Sequence, residues 1–326
     1  MRTHLKSFAI TLALWPVMAQ AGQADLVWRN AASGQAVVRK SADSRYAYAL
    51  VPVSNAWRLA AMADFDGDDV ADLLWRNAAS GQNRIWRMGN AQLPIFVASV
   101  GAPWDIAGAG DFDYDGVADI LWRNTATGQN RIWRSGNAAT PIAVASVNNA
   151  WVVAGVGDFN HDLYADILWR NANSGQTVAW RSGNAATASV LGTVGLSWNV
   201  AGIGDFNGDG AADILWRNAI SGANVIWRSG KSATTQAVTA VGGSAWRVAG
   251  VGDFDGDFHA DVLWRNATTG QNIVWRSANS AAPRTCGTLA NLQWSVNGAA
   301  ELDPPPAVPP EPPPMPPPMP PPYPYP

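Results

Sequence analysis

The sequence predicts an all-β protein, a six-bladed β-propeller of four-stranded blades, from three observations. First, the acidic stretch DFDGDDVAD, which starts at Asp64, returns in related form from Asp111, Asp158, Asp205 and Asp253, at intervals of 47 or 48 residues. Second, each unit contains four short runs with strand character, separated by turn signals. Third, the two ends of the repeat region hold complementary halves of one unit. A fixed period of this length is typical of propellers.

The second full unit shows the four runs most clearly. WDIAGAGDF, from Trp104, leads into the acidic stretch, and DILWRN follows from Asp119. NRIWRS, which contains Trp133, comes after the turn ATGQ, and PIAVASV closes the unit from Pro141. Four strands in about 47 residues suit one blade.

The chain ends predict that the last blade is assembled from both termini. ADLVWRN, which contains Asp25, matches the second run of a unit, and WSVNGAAELD, from Trp294, supplies the missing first run. Pairing the last strand with the first would remove the open sheet edge, whereas an open array of repeats is the alternative. Two series of six tryptophans support six blades: Trp57, Trp104, Trp151, Trp198, Trp246 and Trp294 in the first run, and Trp28, Trp75, Trp122, Trp169, Trp216 and Trp264 in the second.

Three regions are predicted along the chain. Residues 1–21 have a basic start, a short apolar run and small residues at the end, which is typical of a cleaved secretion signal. A membrane anchor is the alternative, but an apolar run of about 11 residues is too short to span a bilayer. Residues 22–303 form the propeller. Residues 304–326 are proline-rich and predict an extended tail, which serves as a spacer or docks on a partner. The predicted location is extracellular, at the cell surface or in the periplasm.

The acidic stretches are predicted to be calcium loops, with up to five Ca²⁺ ions in all. Carboxylates at the first, third, fifth and ninth positions repel one another without a cation, and Ca²⁺ takes six to eight oxygen ligands. The twelfth position, Trp75 in the first loop, lacks the glutamate of an EF-hand, so we expect a hairpin between two strands. Aspartate-rich turns without an ion are the alternative. The candidate ligands are Asp64, Asp66, Asp68, Asp72, Asp111, Asp113, Asp115, Asp119, Asp158, Asn160, Asp162, Asp166, Asp205, Asn207, Asp209, Asp213, Asp253, Asp255, Asp257 and Asp261.

These loops, of which DFNGDGAADILW from Asp205 is an example, resemble the calcium loops of FG-GAP repeats. That family comprises integrin-α-like propellers and includes the VCBS-type repeats of bacterial secreted proteins. The resemblance covers residues 25–303 and implies a secreted, calcium-binding propeller that acts in adhesion or recognition. It does not specify the ligand. Integrin heads have seven blades, whereas the units counted here predict six.

The loops are not equivalent in sequence. Their sixth position is predicted to need a positive φ, which favours glycine. Gly116 and Gly210 meet this need, whereas Leu163 and Phe258 strain the turn. The loop that contains Leu163 also has only three carboxylates, so we expect it to bind calcium most weakly. Because Cys286 is the single cysteine and cannot form an internal disulfide, calcium is expected to stabilise the exported chain instead.

A third tryptophan series has two interpretations. Its rings are expected to fill the wedge between neighbouring blades. The alternative is a multivalent lectin, in which rings and nearby arginines form several weak, equivalent sugar sites. Adjacent residues on a strand point to opposite faces, so arginines that stack on the next blade's tryptophan explain the pattern equally well. The candidate glycan-binding residues are Trp86, Trp133, Trp180, Trp227 and Trp275, and Arg39 takes this position in the first unit.

Charge and residue inventory favour a binding protein over an enzyme. Without Arg2 and Lys6 of the signal, the chain has 20 basic and 25 acidic residues, and this balance argues against nucleic acid as a partner. Five bound calcium ions would change the net charge from about −5 to about +5. His161 and His259 are interpreted as bystanders, and no nucleophile–base set occurs. Catalysis by a metal-bound water is the alternative. The predicted partner is an extracellular protein or a glycan.

Overall fold

A computed structural model describes residues 23–243 and 245–302 and confirms the all-β, six-bladed propeller. The signal predicted at residues 1–21 and the tail predicted at 304–326 lie outside the described residues. Each blade is a four-stranded antiparallel sheet. None of the helical segments within the described ranges has the length and apolar character needed to span a bilayer.

The strands follow the repeat of the sequence. The blade formed by both chain ends contains β24 (Trp294–Ala300), β1 (Asp25–Asn30), β2 (Ala36–Arg39) and β3 (Ala47–Ala49). The other five blades are, in chain order, β4 (Trp57–Ala63), β5 (Asp72–Asn77), β6 (Asn83–Trp86) and β7 (Pro94–Val97); β8 (Trp104–Gly110), β9 (Asp119–Asn124), β10 (Asn130–Trp133) and β11 (Pro141–Val144); β12 (Trp151–Gly157), β13 (Asp166–Asn171), β14 (Gln176–Trp180) and β15 (Ser189–Thr193); β16 (Trp198–Gly204), β17 (Asp213–Asn218), β18 (Asn224–Trp227) and β19 (Thr235–Val238); β20 (Trp246–Gly252), β21 (Asp261–Asn266), β22 (Gln271–Trp275) and β23 (Pro283–Thr288).

Short 3-10 turns follow the third strand of every blade. They are Lys40–Ala42, Arg87–Gly89, Arg134–Gly136, Arg181–Gly183, Arg228–Gly230 and Arg276–Ala278, and a further turn, Ala185–Thr187, precedes β15.

The ring closes where the sequence predicts. β24 pairs antiparallel with β1, and the register places Asp25 opposite Ala300 and Asn30 opposite Trp294. The first strands of adjacent blades contact one another around the centre, so that β24 lies beside both β4 and β20. The last strand therefore completes the first blade, and the open-array alternative is wrong.

The inner strands approach closely, and this explains their small residues. A Cβ atom added at Gly202 of β16 would lie 3.1 Å from the Cβ of Val251 in the next blade. One added at Gly298 of β24 would lie 3.0 Å from the Cγ of Met62 in β4. Contacts this short leave no room for a larger side chain, because the blades taper toward the axis of the ring.

Six arginines, five of them buried and Arg217 partly buried, connect each blade to the next, as the stacking interpretation predicts. Arg123 of β9 donates from Nη1 to Gly128 O and Asn130 Oδ1, and from Nη2 to Val147 O and Trp151 O. Burial lowers the pKa of this guanidinium. Each arginine Cζ stands over the second-strand tryptophan of the following blade, in the pairs Arg29–Trp75 (5.3 Å), Arg76–Trp122 (4.9 Å), Arg123–Trp169 (5.0 Å), Arg170–Trp216 (4.8 Å), Arg217–Trp264 (4.9 Å) and Arg265–Trp28 (4.9 Å).

Candidate metal centres

The five acidic loops lie on one face of the propeller, where each joins the first strand of its blade to the second. Backbone hydrogen bonds link successive loops around the ring: Ala118 N donates to Asp64 O, and Ala212 N donates to Asp158 O, both at 2.6 Å. The remaining links are Ala165 N to Asp111 O, Ala260 N to Asp205 O, Ala24 N to Asp253 O and Ala71 N to Glu301 O. A rigid ring of inner strands therefore holds the loops in a fixed relation to one another.

The first aspartate of each loop folds the loop around its own carboxylate. In the first loop, Asp64 Oδ1 accepts hydrogen bonds from Asp66 N (3.0 Å) and Gly67 N (2.7 Å), and Oδ2 accepts from Asp69 N (2.7 Å). The corresponding Oδ2 contact, to the backbone N–H of the sixth position, recurs at Asp111, Asp158, Asp205 and Asp253. Backbone donors that converge on one carboxylate account for the invariant first position.

The sixth position has a positive φ in all five loops, as predicted. The values are 63° at Asp69, 84° at Gly116, 72° at Leu163, 90° at Gly210 and 65° at Phe258. Side chains larger than glycine at φ > 0 cost about 1 kcal/mol. The structure also shows a positive φ at the fourth position, which the sequence did not predict. Side chains as different as glycine, tyrosine and histidine occur there, at Gly67, Tyr114, His161, Gly208 and Gly256.

The ninth aspartate is the most deeply buried ligand candidate. Asp72 is 0% exposed; its Oδ2 accepts from Phe65 N (2.9 Å) and its Oδ1 from Met88 N (2.9 Å) in the 3-10 turn. Burial, with a smaller effect of the charges of Asp66 and Asp68, raises the pKa of Asp72 to about 7. The pKa values of Asp119, Asp166, Asp213 and Asp261 are raised to about 7 for the same reasons. A nearby cation would offset this cost of burying a negative charge.

The third position supplies the atom that fits a metal ion best. Oδ1 of Asp66, Asp113 and Asp255 is buried and has no hydrogen-bond partner, and the same holds for Oδ1 of Asn160 and Asn207. A buried oxygen without a donor is costly unless a cation or a water satisfies it. Because the orphan oxygen occurs in every loop, at the same position, the donor set fits a hard, oxygen-seeking cation.

The structure brings the predicted carboxylates together in three loops. One ligand oxygen from each of Asp64, Asp66 and Asp72 lies within 4.8 Å of the others, and the same is true of Asp111 with Asp113 and Asp115, and of Asp253 with Asp255 and Asp261. Asp68, Asp119 and Asp257 belong to these loops but lie outside the compact groups. Burial raises the pKa of Asp68, Asp113 and Asp255, and neighbouring carboxylates add to the shift.

The two loops with asparagine at the third position are arranged differently. Asn160 Nδ2 donates to Asp162 Oδ2 at 2.6 Å, and Asn207 Nδ2 donates to Asp209 Oδ2 at 2.9 Å. The amide thus holds the fifth-position carboxylate, while its own oxygen stays without a partner. The remaining candidates of these loops are the first and ninth aspartates, Asp158, Asp166, Asp205 and Asp213, which keep their backbone contacts.

An arginine partner of the third position was not predicted from the sequence. Asp66 Oδ2 pairs with Arg87 Nε at 2.9 Å, and Asp255 Oδ2 pairs with Arg276 Nε at 2.9 Å. Arg134 pairs with Asp113 in the same way, at 3.0 Å. The signal is present in the sequence as the WRS and WRM triplets, in which the arginine opens the 3-10 turn.

The third tryptophan series packs against the second one. Trp133 stands 4.8 Å from Trp122 between ring centroids, with the planes tilted by 51°, and the other four pairs have distances of 5.0 to 5.3 Å. Trp86, Trp133 and Trp227 are buried, whereas Trp180 and Trp275 are partly exposed. In the first blade, Arg39 replaces the ring and stacks on Trp28 at 5.1 Å. These ring pairs lie within one blade, so wedge filling between blades and sugar binding by these rings both stay predictions.

Comparison with known proteins supports the fold and the repeat type. The family model of FG-GAP-like repeats matches residues 158–216 and 205–264, which contain three of the five loops. Together, this match and the six blades support an FG-GAP-like propeller. No curated protein matches this sequence.

Several solved structures align with most of this chain at low sequence identity. A chain of a nidogen/laminin complex aligns over 85% of this chain and 97% of its own length, with a TM-score of 0.53 and 11% identity. Virginiamycin B lyase from Staphylococcus aureus covers 78% of this chain and 77% of its own, with a TM-score of 0.47 and 8% identity. The V. cholerae biofilm matrix protein Bap1 covers 74% and 40%, with a TM-score of 0.36 and 18% identity.

Proposed function

We propose that this FG-GAP-like propeller is a secreted calcium-binding module that acts in adhesion or recognition and has no catalytic role. Each of the five loops would hold one Ca²⁺ through its first, third, fifth and ninth positions. The observation that carries the proposal is the orphan buried oxygen at the third position, such as Asp66 Oδ1, next to the buried ninth aspartate, whose pKa is raised to about 7. A cation relieves both costs at once.

Calcium in these loops would replace the disulfides that the chain lacks. Extracellular modules bind Ca²⁺ with dissociation constants of about 10⁻⁴ to 10⁻³ M, so each site contributes about 0.4 to 1.4 kcal/mol at millimolar calcium. Five sites contribute about 2 to 7 kcal/mol, which is comparable with the net stability of a domain. Cys286, the single cysteine, is buried, and burial raises its pKa, so it is unsuited to reactive chemistry.

A recognition role agrees with the even distribution of acidic and basic side chains around the ring. Within the described residues, the buried acids of the loops are held by backbone N–H groups. Five of the six arginines that join the blades are held by carbonyls, side-chain amides and tryptophan rings without a carboxylate partner. None of these groups forms the asymmetric nucleophile–base cluster that catalysis needs. The ligand would be an extracellular protein or a glycan. A multivalent lectin with inter-blade tryptophan and arginine sites, or a spacer tethered through residues 304–326, are the alternatives.

The test is a melting experiment on the chain that starts at residue 22. We expect the melting temperature to rise by several degrees between excess chelator and 2 mM Ca²⁺, and elemental analysis after dialysis to count up to five bound ions. Mg²⁺ at the same concentration is the matched control, and we expect a smaller shift because it demands a stricter octahedral geometry. Equal melting temperatures with chelator and with calcium, and no bound ion, would exclude the proposal.

A further inference from the structure

A polar groove on the loop face separates the blade of β16–β19 from the blade of β20–β23. Its volume is about 470 Å³, which is within the range of ligand sites. One wall is the outer strand β19 with Gln236 and Thr239, and the other is the 3-10 turn of the next blade, from Ser277 to Ser280. Arg228 and Asn207 lie at the end next to the fourth loop.

Arg228 differs from its counterparts Arg87, Arg134 and Arg276 because it has no carboxylate partner within the described residues. Arg87, Arg134 and Arg276 each pair with the third-position aspartate of their own blade. Asn207 takes that position here, and Arg228 instead donates from Nε (3.3 Å) and Nη2 (2.9 Å) to the neutral Gln236 Oε1. An exposed guanidinium held by an amide keeps its full charge available to an anion.

The equivalent position in the preceding blade shows what makes this groove distinctive. Arg181 follows Trp180 as Arg228 follows Trp227, and its loop also has an asparagine, Asn160. There, however, Ser232 N donates to Leu191 O at 3.0 Å, so the backbones of the two blades come together. At the groove, the corresponding link is the side-chain contact between Thr239 Oγ1 and Ser280 Oγ at 2.6 Å. Arg181 therefore has the same charge as Arg228, but no open groove lies beside it.

We propose that this groove binds a sugar that carries a carboxylate, with Arg228 pairing with the acid and the amide and hydroxyl wall binding the sugar hydroxyls. The wall favours a sugar over an acidic peptide because its groups, on Gln236, Thr239, Ser277, Asn279 and Ser280, both donate and accept hydrogen bonds. This inference rests on the proposed function, since Asp205 and Asp209 lie next to Asn207. Calcium in the fourth loop would offset their repulsion of an acidic ligand.

The experiment compares methyl glucuronide with methyl glucoside by ligand-observed NMR, in 2 mM Ca²⁺. We expect saturation transfer to the glucuronide and about two- to fivefold weaker binding of the glucoside, because an ion pair at an exposed guanidinium contributes up to about 1 kcal/mol. Arg228→Gln should lower glucuronide affinity about two- to fivefold, by the same reasoning. Asn207→Asp should lower it as well, because the new carboxylate would capture Arg228 as Asp113 captures Arg134.

The matched control is Arg181→Gln, which removes the same charge beside the closed groove and should leave glucuronide binding unchanged. Equal binding of both sugars, or an equal loss in Arg181→Gln, would overturn the inference. Tighter binding of a hexaglutamate peptide than of the glucuronide would assign the groove to an acidic protein segment and would also overturn it. The calcium-dependent melting temperature is recorded in parallel. If calcium stabilises the protein but the glucuronide does not bind, only this inference is contradicted. If calcium does not stabilise the protein, the proposed function is contradicted.

Discussion

The two ends of each second strand bury an ionisable side chain in different ways. In β9, Asp119 begins the strand and Arg123 follows four residues later. Arg123 finds carbonyl and amide oxygens for its donors, and its guanidinium stacks on Trp169. Asp119 accepts two backbone hydrogen bonds, from Phe112 N and Ser135 N, yet its pKa is raised to about 7. Arg123 finds oxygen partners for its donors within the chain, whereas the backbone donors of Asp119 do not offset the cost of burying its carboxylate.

This difference confines the expected calcium dependence to one face of the propeller. Contacts between blades at the arginine end join carbonyls, guanidinium groups and indole rings, none of which changes with calcium. Contacts at the loop end join carboxylates and backbone N–H groups, and those carboxylates repel one another. Chelation should therefore loosen the loop face while the opposite end keeps the ring closed.

The largest expected effect is a pH dependence that appears only without calcium. A carboxyl whose folded pKa is about 7, against about 3.9 when unfolded, binds more protons in the folded state. Its stabilising contribution is complete below about pH 4 and is lost as the pH rises through 7. The ninth aspartates of all five loops share this shift. In chelator, the free energy of unfolding should fall between pH 4 and pH 7, by up to about 3 kcal/mol for each of these groups.

Urea unfolding at a series of pH values measures this trend, and two comparisons sharpen it. In 2 mM Ca²⁺ the fall should disappear, because a cation favours the ionised form. In Asp119→Asn, the fall in chelator should be about one fifth smaller, since one of five equivalent groups no longer titrates. A wild-type protein whose stability in chelator rises from pH 4 to pH 7 would show that the loops are satisfied without a metal.

The next effect, at the arginine end, should not depend on calcium. Arg123→Ala removes the guanidinium donor of Val147 O and Trp151 O and its stacking on Trp169, so we expect a loss of about 2 to 4 kcal/mol, equal in chelator and in calcium. Arg131→Ala is the matched control: that arginine also stacks on a tryptophan, Trp104, but is exposed. It should cost less than about 1 kcal/mol. A calcium-dependent loss in Arg123→Ala would contradict the separation of the two ends.

The sequence predicted the fold well because the repeat carries the same information several times. The six blades and the closure of β24 on β1 followed from two matching half-units around Asp25 and Trp294. The positive φ at Leu163 and Phe258 also followed, because the glycines of other loops mark the same turn. Because the unit recurs, the copies can be aligned with one another, and a signal that is weak in one copy is supported by the others.

The sequence was less informative where two units meet. The pairing of Arg134 with Asp113, 21 residues apart, and the open groove at Arg228 depend on how a 3-10 turn lies beside an acidic loop. Such contacts are set by three-dimensional packing, which local patterns do not encode. The same holds for Arg123, which reaches Trp151 O across the boundary between two blades.

The smallest expected effect tests whether the residue at the third position sets the calcium affinity of its loop. Asn160→Asp would place a carboxylate where Asp66, Asp113 and Asp255 stand, beside Arg181. In chelator we expect a loss of about 1 to 2 kcal/mol in unfolding free energy, because the new carboxylate no longer donates to Asp162 and repels it, and a partly exposed ion pair offsets little of this. In calcium, the added charge should raise the affinity of this loop about two- to tenfold, since ligand charge sets calcium affinity in such loops. Calorimetric titration measures it, and Asp113→Asn is the reciprocal control, which should weaken its own loop by a similar factor. If both substitutions left the titration unchanged, the orphan oxygen at the third position would not be a ligand, and the metal would have to be held by the first and ninth carboxylates alone.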